Sequence, residues 1–190
     1  MKRIAILASG SGSNAENIAN CFAVRKQVEV AVVMSNNPRA GVHERMKRLG
    51  IPSFTFPREA FTTGDEVLKK LSEFAVDWIV LAGFMNRISA PLLRAYPDRI
   101  LNIHPALLPK YGGKGMYGMH VHEAVVAHRE TESGITIHYI NENYDEGQIV
   151  FQAKCPVLPT DTPEDVATRV HELEYKHYPE VIEKLLTETE

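Results

Sequence analysis

Short apolar runs alternate with helix-patterned segments through the first hundred residues of this chain, and that alternation leaves few folds open. Residues 3–8, 28–34 and 77–83 each run almost without polar interruption for one strand length and end in turn residues. Runs of that kind belong to strands buried on both faces, the mark of a mainly parallel sheet covered by helices. The segments between them fit as covers. Residues 15–22 and 42–49 read as helices, the second stopped by Gly50. Asp65 is placed to cap a third, with Val67, Leu68, Leu71 and Phe74 on one face. A brief strand is expected at 53–56. Strand–helix–strand order implies right-handed crossovers in an α/β architecture.

Beyond residue 104 the pattern changes. A glycine-rich loop, residues 110–119, leads to a helix near 121–127. Residues 135–140 then alternate, and 148–153 answer them across the turn 141–147, which predicts a hairpin and an antiparallel C-terminal edge. Thr162-Pro163-Glu164-Asp165 has the grammar of a helix start: cap, proline, then acids. That last helix is expected to present Val166, Val170, Leu173, His177, Val181 and Leu185 on its buried side, with a kink at Pro179. At 190 residues, without a repeat or linker-like shift, a single domain over 1–190 is the expectation.

Charge and cysteine content narrow the function. A formal net charge of -3 argues against general nucleic-acid binding, which needs a dominant basic surface. Lys2-Arg3 runs into too short an apolar stretch for a signal peptide or membrane span. Cys21 and Cys155 are the only cysteines and lie far apart, so a reduced, cytoplasmic setting is expected.

Chemistry concentrates in three places. Asn102 and His104 lie two apart on a strand closed by Pro105, so an amide and an imidazole share one face at a strand's carboxyl end. Ligands bind at that edge of open α/β sheets. Ser9-Gly10-Ser11-Gly12-Ser13-Asn14 follows the first strand and opens the first helix, a place suited to an anion. With Ala15 it completes Gly-x-Gly-x-x-Ala, but Ser35-Asn36-Asn37 stands where a dinucleotide site needs an acid, so a single phosphate on Gly12, Ser13 and Asn14 fits better. Asp145, in the hairpin turn, completes the set if the fold carries it to His104, where a carboxylate would orient the ring and favour its charged form. Gly112-Gly113-Lys114-Gly115 fails the Walker spacing and reads as a mobile loop. His120, His122, His128 and His138 lack the spacing of a zinc set, and no metal is expected. Cys155 reads as a small buried hydrophobe.

Taken together, these motifs resemble the glycinamide ribonucleotide (phosphoribosylglycinamide) formyltransferase family of folate-dependent enzymes. The resemblance rests on residues 9–14, on Leu81-Ala82-Gly83-Phe84-Met85, on Leu101-Asn102-Ile103-His104-Pro105 through Pro109, on Asp145-x-Gly147, and on Arg169-Val170 through Glu174 to Tyr178-Pro179. It implies a Rossmann-like three-layer formyltransferase fold and transfer of a formyl group from 10-formyltetrahydrofolate, as co-substrate, to the amine of glycinamide ribonucleotide. By the same resemblance Asn102 serves the oxyanion, His104 the proton, and Asp145 tunes His104. Gly12, Ser13 and Asn14 hold the ribonucleotide phosphate and Glu174 its glycinamide end. Met85, Asn86, Arg87 and Ile88, with Asn102, Asn141, Glu142, Asn143, Tyr144 and Asp145, line the folate pocket. Only small-molecule partners are implied, for a monomer or a homodimer, without nucleic acid or membrane. Gly64 stands where the family has an arginine, and Asn86 precedes Arg87 where some members have arginine directly after the methionine. The competing readings are a 10-formyltetrahydrofolate hydrolase and a non-catalytic nucleotide-binding domain.

Overall fold

The computed structural model describes residues 1–143 and 145–188. Five parallel strands come first: β1 (Lys2–Leu7), β2 (Val28–Ser35), β3 (Ser53–Thr55), β4 (Trp78–Leu81) and β5 (Ile100–His104). Then β6 (Glu132–Tyr139) and β7 (Ile149–Pro156) join antiparallel, giving the order β3-β2-β1-β4-β5-β6-β7. The expected mainly parallel sheet with an antiparallel C-terminal edge is therefore what forms. Among the described residues seven helices cover it: α1 (Ser13–Arg25), α2 (Gly41–Leu49), α3 (Arg58–Thr63), α4 (Asp65–Glu73), α5 (Ala90–Ala95), α6 (Met119–Ala127) and α7 (Pro163–Glu188).

Strand parity divides the core. Ile4 and Ile6 face one cluster with α1 and α7, while Ala5 and Leu7 face the other with α4 and α5. Both sets are fully buried, which is why the run lacks polar interruption. Two short helices, α3 and α5, were not expected. Six residues span fewer than two turns, too few for an apolar stripe to declare itself. The cap of α4 is also corrected. Gly64, at φ 85°, ends α3 and begins α4, so Asp65 lies inside the helix and makes no capping bond.

The start of α7 follows its sequence grammar. Asp165 accepts from the Thr162 N–H at 2.9 Å, and Thr162 Oγ1 accepts from the Asp165 N–H at 3.3 Å. Its buried face differs from the expected stripe. After Val166 and Val170 it continues through Glu174, Tyr178, Ile182 and Leu186, while Leu173, His177, Val181 and Leu185 sit half-buried at its flank. An apolar count skips Glu174 and so slides the stripe sideways. Pro179 stays within the continuous helix. Proline frees the carbonyl four residues back, and here the Tyr175 carbonyl accepts from Asn17 Nδ2 at 2.9 Å. Tyr178, wholly buried, donates to the Leu81 carbonyl at 2.9 Å and approaches the Leu101 carbonyl at 3.3 Å, which fixes α7 to the carboxyl end of β4 and to the start of β5.

Candidate active site

Strand order reverses between β1 and β4, and a cleft of about 590 Å³ opens beyond the carboxyl ends of β1, β4 and β5. Open α/β sheets offer their ligand crevice at this switch point. Residues 10–14, 81–88, 102–105 and 113–119 line it, together with His122, Ile140, Asn141, Asn143, Asp145, His171 and Glu174. All three motifs singled out in the sequence thus meet in one cavity.

At its centre, β5 delivers Asn102 and His104 beside each other, in register with His138 and Thr136 of β6. His104 Nε2 donates to the Tyr111 carbonyl at 2.7 Å, which turns Nδ1 towards Asp145 Oδ2, 3.6 Å away. Asp145 therefore does reach His104. Its other oxygen lies 3.6 Å from His138 Nε2, and Oδ2 accepts from the Gly113 N–H at 2.9 Å. His138 Nδ1 donates to the Tyr139 carbonyl at 2.9 Å, leaving Nε2 as an acceptor. That lone pair fixes the orientation of Asn102, whose Nδ2 lies 3.2 Å away. One N–H of the amide is used there and the second remains for a ligand.

Electrostatics set the two titrating groups apart. Burial pushes the His104 imidazole below its ordinary value, although the Asp145 carboxylate and the Tyr111 carbonyl both favour the charged ring. Burial works in the opposite sense on Asp145. The neighbouring His138 ring, the His104 charge and the Gly113 N–H together outweigh it and hold the carboxyl below the usual range. The resting arrangement is a carboxylate facing a ring that leans neutral.

The second end of the cleft is built by α1 and α7. Gly12, at φ 75°, precedes α1, and its carbonyl accepts from the Glu16 N–H at 2.9 Å. A Cβ at Gly12 would fall 2.5 Å from the Cβ of Val42, so packing as well as ligand access demands glycine here. Ser13 and Asn14 begin the helix and line the cleft, with free backbone donors of the first turn beside them. Asn14 Nδ2 points to Glu174 Oε2 at 3.4 Å, and His171 Nδ1 lies 3.0 Å from the same oxygen. The bond to Glu174 raises the His171 ring above its ordinary value. Asn14 Oδ1 and His122 Nδ1 are buried without a hydrogen-bond partner among the described residues. Burial takes His122 down to about 4, so its ring is neutral.

The loop after β4 forms the third wall. Ser9 Oγ accepts from the Met85 N–H at 2.8 Å and donates to Asn36 Oδ1 at 2.6 Å. Asn36 Nδ2 meets Asn86 Oδ1 at 3.4 Å, so Asn86 also ties this loop to β2. Met85 is half exposed in the cleft, whereas Ile88 is buried and shared with the core. Arg87 donates to the Glu142 carbonyl, bridging two walls. Asn141 accepts from the Asn143 N–H at 2.8 Å, and both line the cleft; Glu142 does not. Tyr144 lies outside the described residues.

Sequence reasoning weighed His138 only as a zinc ligand. The alternation Thr136, His138 between buried Ile135 and Ile137 marked two polar residues on one face, but only the β5–β6 register puts them against Asn102 and His104. Tyr111 and His171 carried no comparable signal. The histidines grouped in sequence part in space: His128 meets Tyr111, and His120 is exposed beside Glu123.

Comparison with known proteins follows the same outline. A family model described as formyl transferase matches residues 2–182. A phosphoribosylglycinamide formyltransferase of Arabidopsis thaliana chloroplasts is 41% identical over 187 residues, covering 95% of this chain and 64% of the relative. The chain thus spans less than two thirds of that relative's length. The Haemophilus influenzae enzyme of the same name is 39% identical over 187 residues, covering 96% and 86%. The crystal structure of the Bacillus halodurans phosphoribosylglycinamide formyltransferase superposes with a TM-score of 0.89 at 36% identity, covering 100% of this chain and 97% of that one.

Proposed function

Since the chain belongs to the formyl transferase family, we propose that it moves the formyl group of 10-formyltetrahydrofolate onto the amine of glycinamide ribonucleotide, a step of purine biosynthesis. The observation that carries this reading is the Asn102, His104, Asp145 cluster at the switch-point cleft, with a helix N-terminus at the cleft's other end.

In this reading the amine nitrogen attacks the formyl carbon, and the carbonyl oxygen becomes an oxyanion. The free N–H of Asn102 donates to that oxygen. Because His138 already fixes the amide, the donor needs no reorganisation as charge develops. The incoming amine sheds a proton and the departing folate nitrogen gains one. His104 carries it, with the Asp145 carboxylate favouring the transient imidazolium. Collapse releases the formylated amine and tetrahydrofolate, with no metal and no covalent enzyme intermediate required.

Binding divides along the cleft. The N–H groups of Ser13 and Asn14 at the start of α1 receive the ribonucleotide phosphate, and Glu174 takes a donor from the glycinamide end. The folate lies along residues 85–88 and along Asn141, Asn143 and Asp145, with Met85 supplying exposed apolar surface. The partners in this reading are small molecules, for a monomer or a homodimer. A cytoplasmic setting goes with two unpaired thiols.

The test is deformylation of 10-formyltetrahydrofolate with and without glycinamide ribonucleotide. Turnover that requires the ribonucleotide is expected. Equal turnover without it makes the chain a hydrolase, and none in either mixture leaves a binding module.

A further inference from the structure

We propose that Tyr111 is a positioning residue for His104: its side chain, anchored outside the cleft on Glu130 and His128, holds its own carbonyl on the imidazole. The catalytic consequence rests on the formyl-transfer reading above. The anchor itself does not.

The carbonyl that accepts from His104 Nε2 at 2.7 Å belongs to a residue at φ 55°. A bulky L residue adopts that left-handed conformation only at an energetic cost. Asp145, which faces the other ring nitrogen, sits at φ 54°. Both groups gripping the imidazole therefore come from backbone that must be held in place, a situation that clusters at functional sites. For Asp145 the restraint is the Gly113 N–H.

For Tyr111 the restraint is its own side chain. The hydroxyl donates to Glu130 Oε1 at 2.8 Å and lies 3.2 Å from His128 Nδ1, and the ring packs at 5.7 Å between centroids against the His128 ring. Lys110 Nζ closes on the same carboxylate at 3.2 Å. Glu130 is tied back to α6 through its N–H to the Val125 carbonyl at 3.2 Å. Burial, and then Glu130, push the Tyr111 hydroxyl up to about 12, so it donates throughout the working range. The chain of contacts thus runs from the end of α6 through the phenol and one peptide group to His104.

His104 also faces Asp145 of the hairpin turn, His138 of β6, Glu174 of α7 and His122 of α6. Burial and His138 oppose the charged ring, whereas Asp145, the Tyr111 carbonyl and Glu174 favour it. Loosening the anchor lowers the titration midpoint of His104, whereas general damage to the loop has no reason to move it in one direction.

The experiment follows the His104 ring by NMR titration of the free, full-length protein in wild type, Tyr111→Phe, Glu130→Leu and Glu130→Gln. Tyr111→Phe and Glu130→Leu are expected to lower the midpoint alike, their combination no further, and Glu130→Gln, which keeps an acceptor oxygen, to restore most of it. In the transfer assay kcat falls about 10- to 100-fold with the ribonucleotide KM little changed. An unmoved midpoint in both single variants, or additive shifts in the double variant, overturns the proposal. A wild type without formyl transfer but with the predicted shifts refutes the functional reading and leaves the anchor standing.

Discussion

Replacing Asp145 by asparagine removes one negative charge and leaves the shape of the site. The side-chain oxygen that remains still accepts from the Gly113 N–H, now 2.9 Å from Asp145 Oδ2, so the loop keeps its anchor. What is lost is the attraction between carboxylate and imidazolium. At the observed 3.6 Å, and with an effective dielectric near 20, that pair is worth about 4–5 kcal/mol. The carboxylate is 12% exposed, so solvent and the residual amide dipole reduce the figure. We expect kcat for formyl transfer to fall by roughly 10²- to 10³-fold, the range of a lost electrostatic contributor at a transition state.

The sign of the pH effect is set by the same pair. Asp145 raises the His104 ring against the burial that lowers it. In the asparagine variant burial acts with less opposition, so the limb of the kcat–pH profile that reports charged His104 moves to lower pH. The assay is kcat against pH for both proteins, with thermal unfolding at pH 7 to confirm an intact fold. A variant within threefold of wild type, with an unshifted profile, refutes the role given to the carboxylate.

Three further perturbations address stability. His122 is held down to about 4 against an ordinary 6.5, so the unfolded chain binds a proton that the folded one refuses. Stability is full above pH 6.5 and falls until about pH 4, by up to about 3 kcal/mol. His122→Leu should flatten that loss in urea unfolding at pH 7 and pH 5, and a wild-type slope contradicts the assignment. Tyr178→Phe strips a donor from the Leu81 and Leu101 carbonyls, costing about 1–3 kcal/mol and lowering Tm by several degrees in calorimetry. An unchanged Tm places those carbonyls in other hydrogen bonds. Gly12→Ala should destabilise by about 2 kcal/mol or more, and Val42→Ala should not rescue it, because the Val42 Cα and Cβ that the new methyl meets at 2.6 and 2.5 Å remain. Recovery of the urea midpoint in the double variant disproves that clash.

What was legible in the chain was whatever a local pattern encodes. The β1, β2 and β4 runs announce themselves because both faces are buried, and Asn102 and His104 share a face because strands alternate every second residue. The phosphate-type loop shows through its glycines. Glu174 entered only through family likeness, since a buried acid in a helix interrupts the apolar stripe it belongs to. His138 and Tyr111 stayed hidden for another reason: their roles depend on partners that sequence separation conceals. His138 reaches Asn102 across 36 positions, and Asp145 reaches the Gly113 N–H across 32. Those meetings are fixed by the β5–β6 register and by the turn that follows it. A slip of one residue in that register would turn Thr136 and His138 to the opposite face and send Ile135 and Ile137 into the site. Burial of those two isoleucines in the core cluster forbids the slip. Gly147 then sets where the hairpin returns, because a side chain there would run into the Tyr139 carbonyl. The carboxylate thus comes to the imidazole through apolar packing and one close backbone approach, neither of which is written beside Asp145 in the sequence.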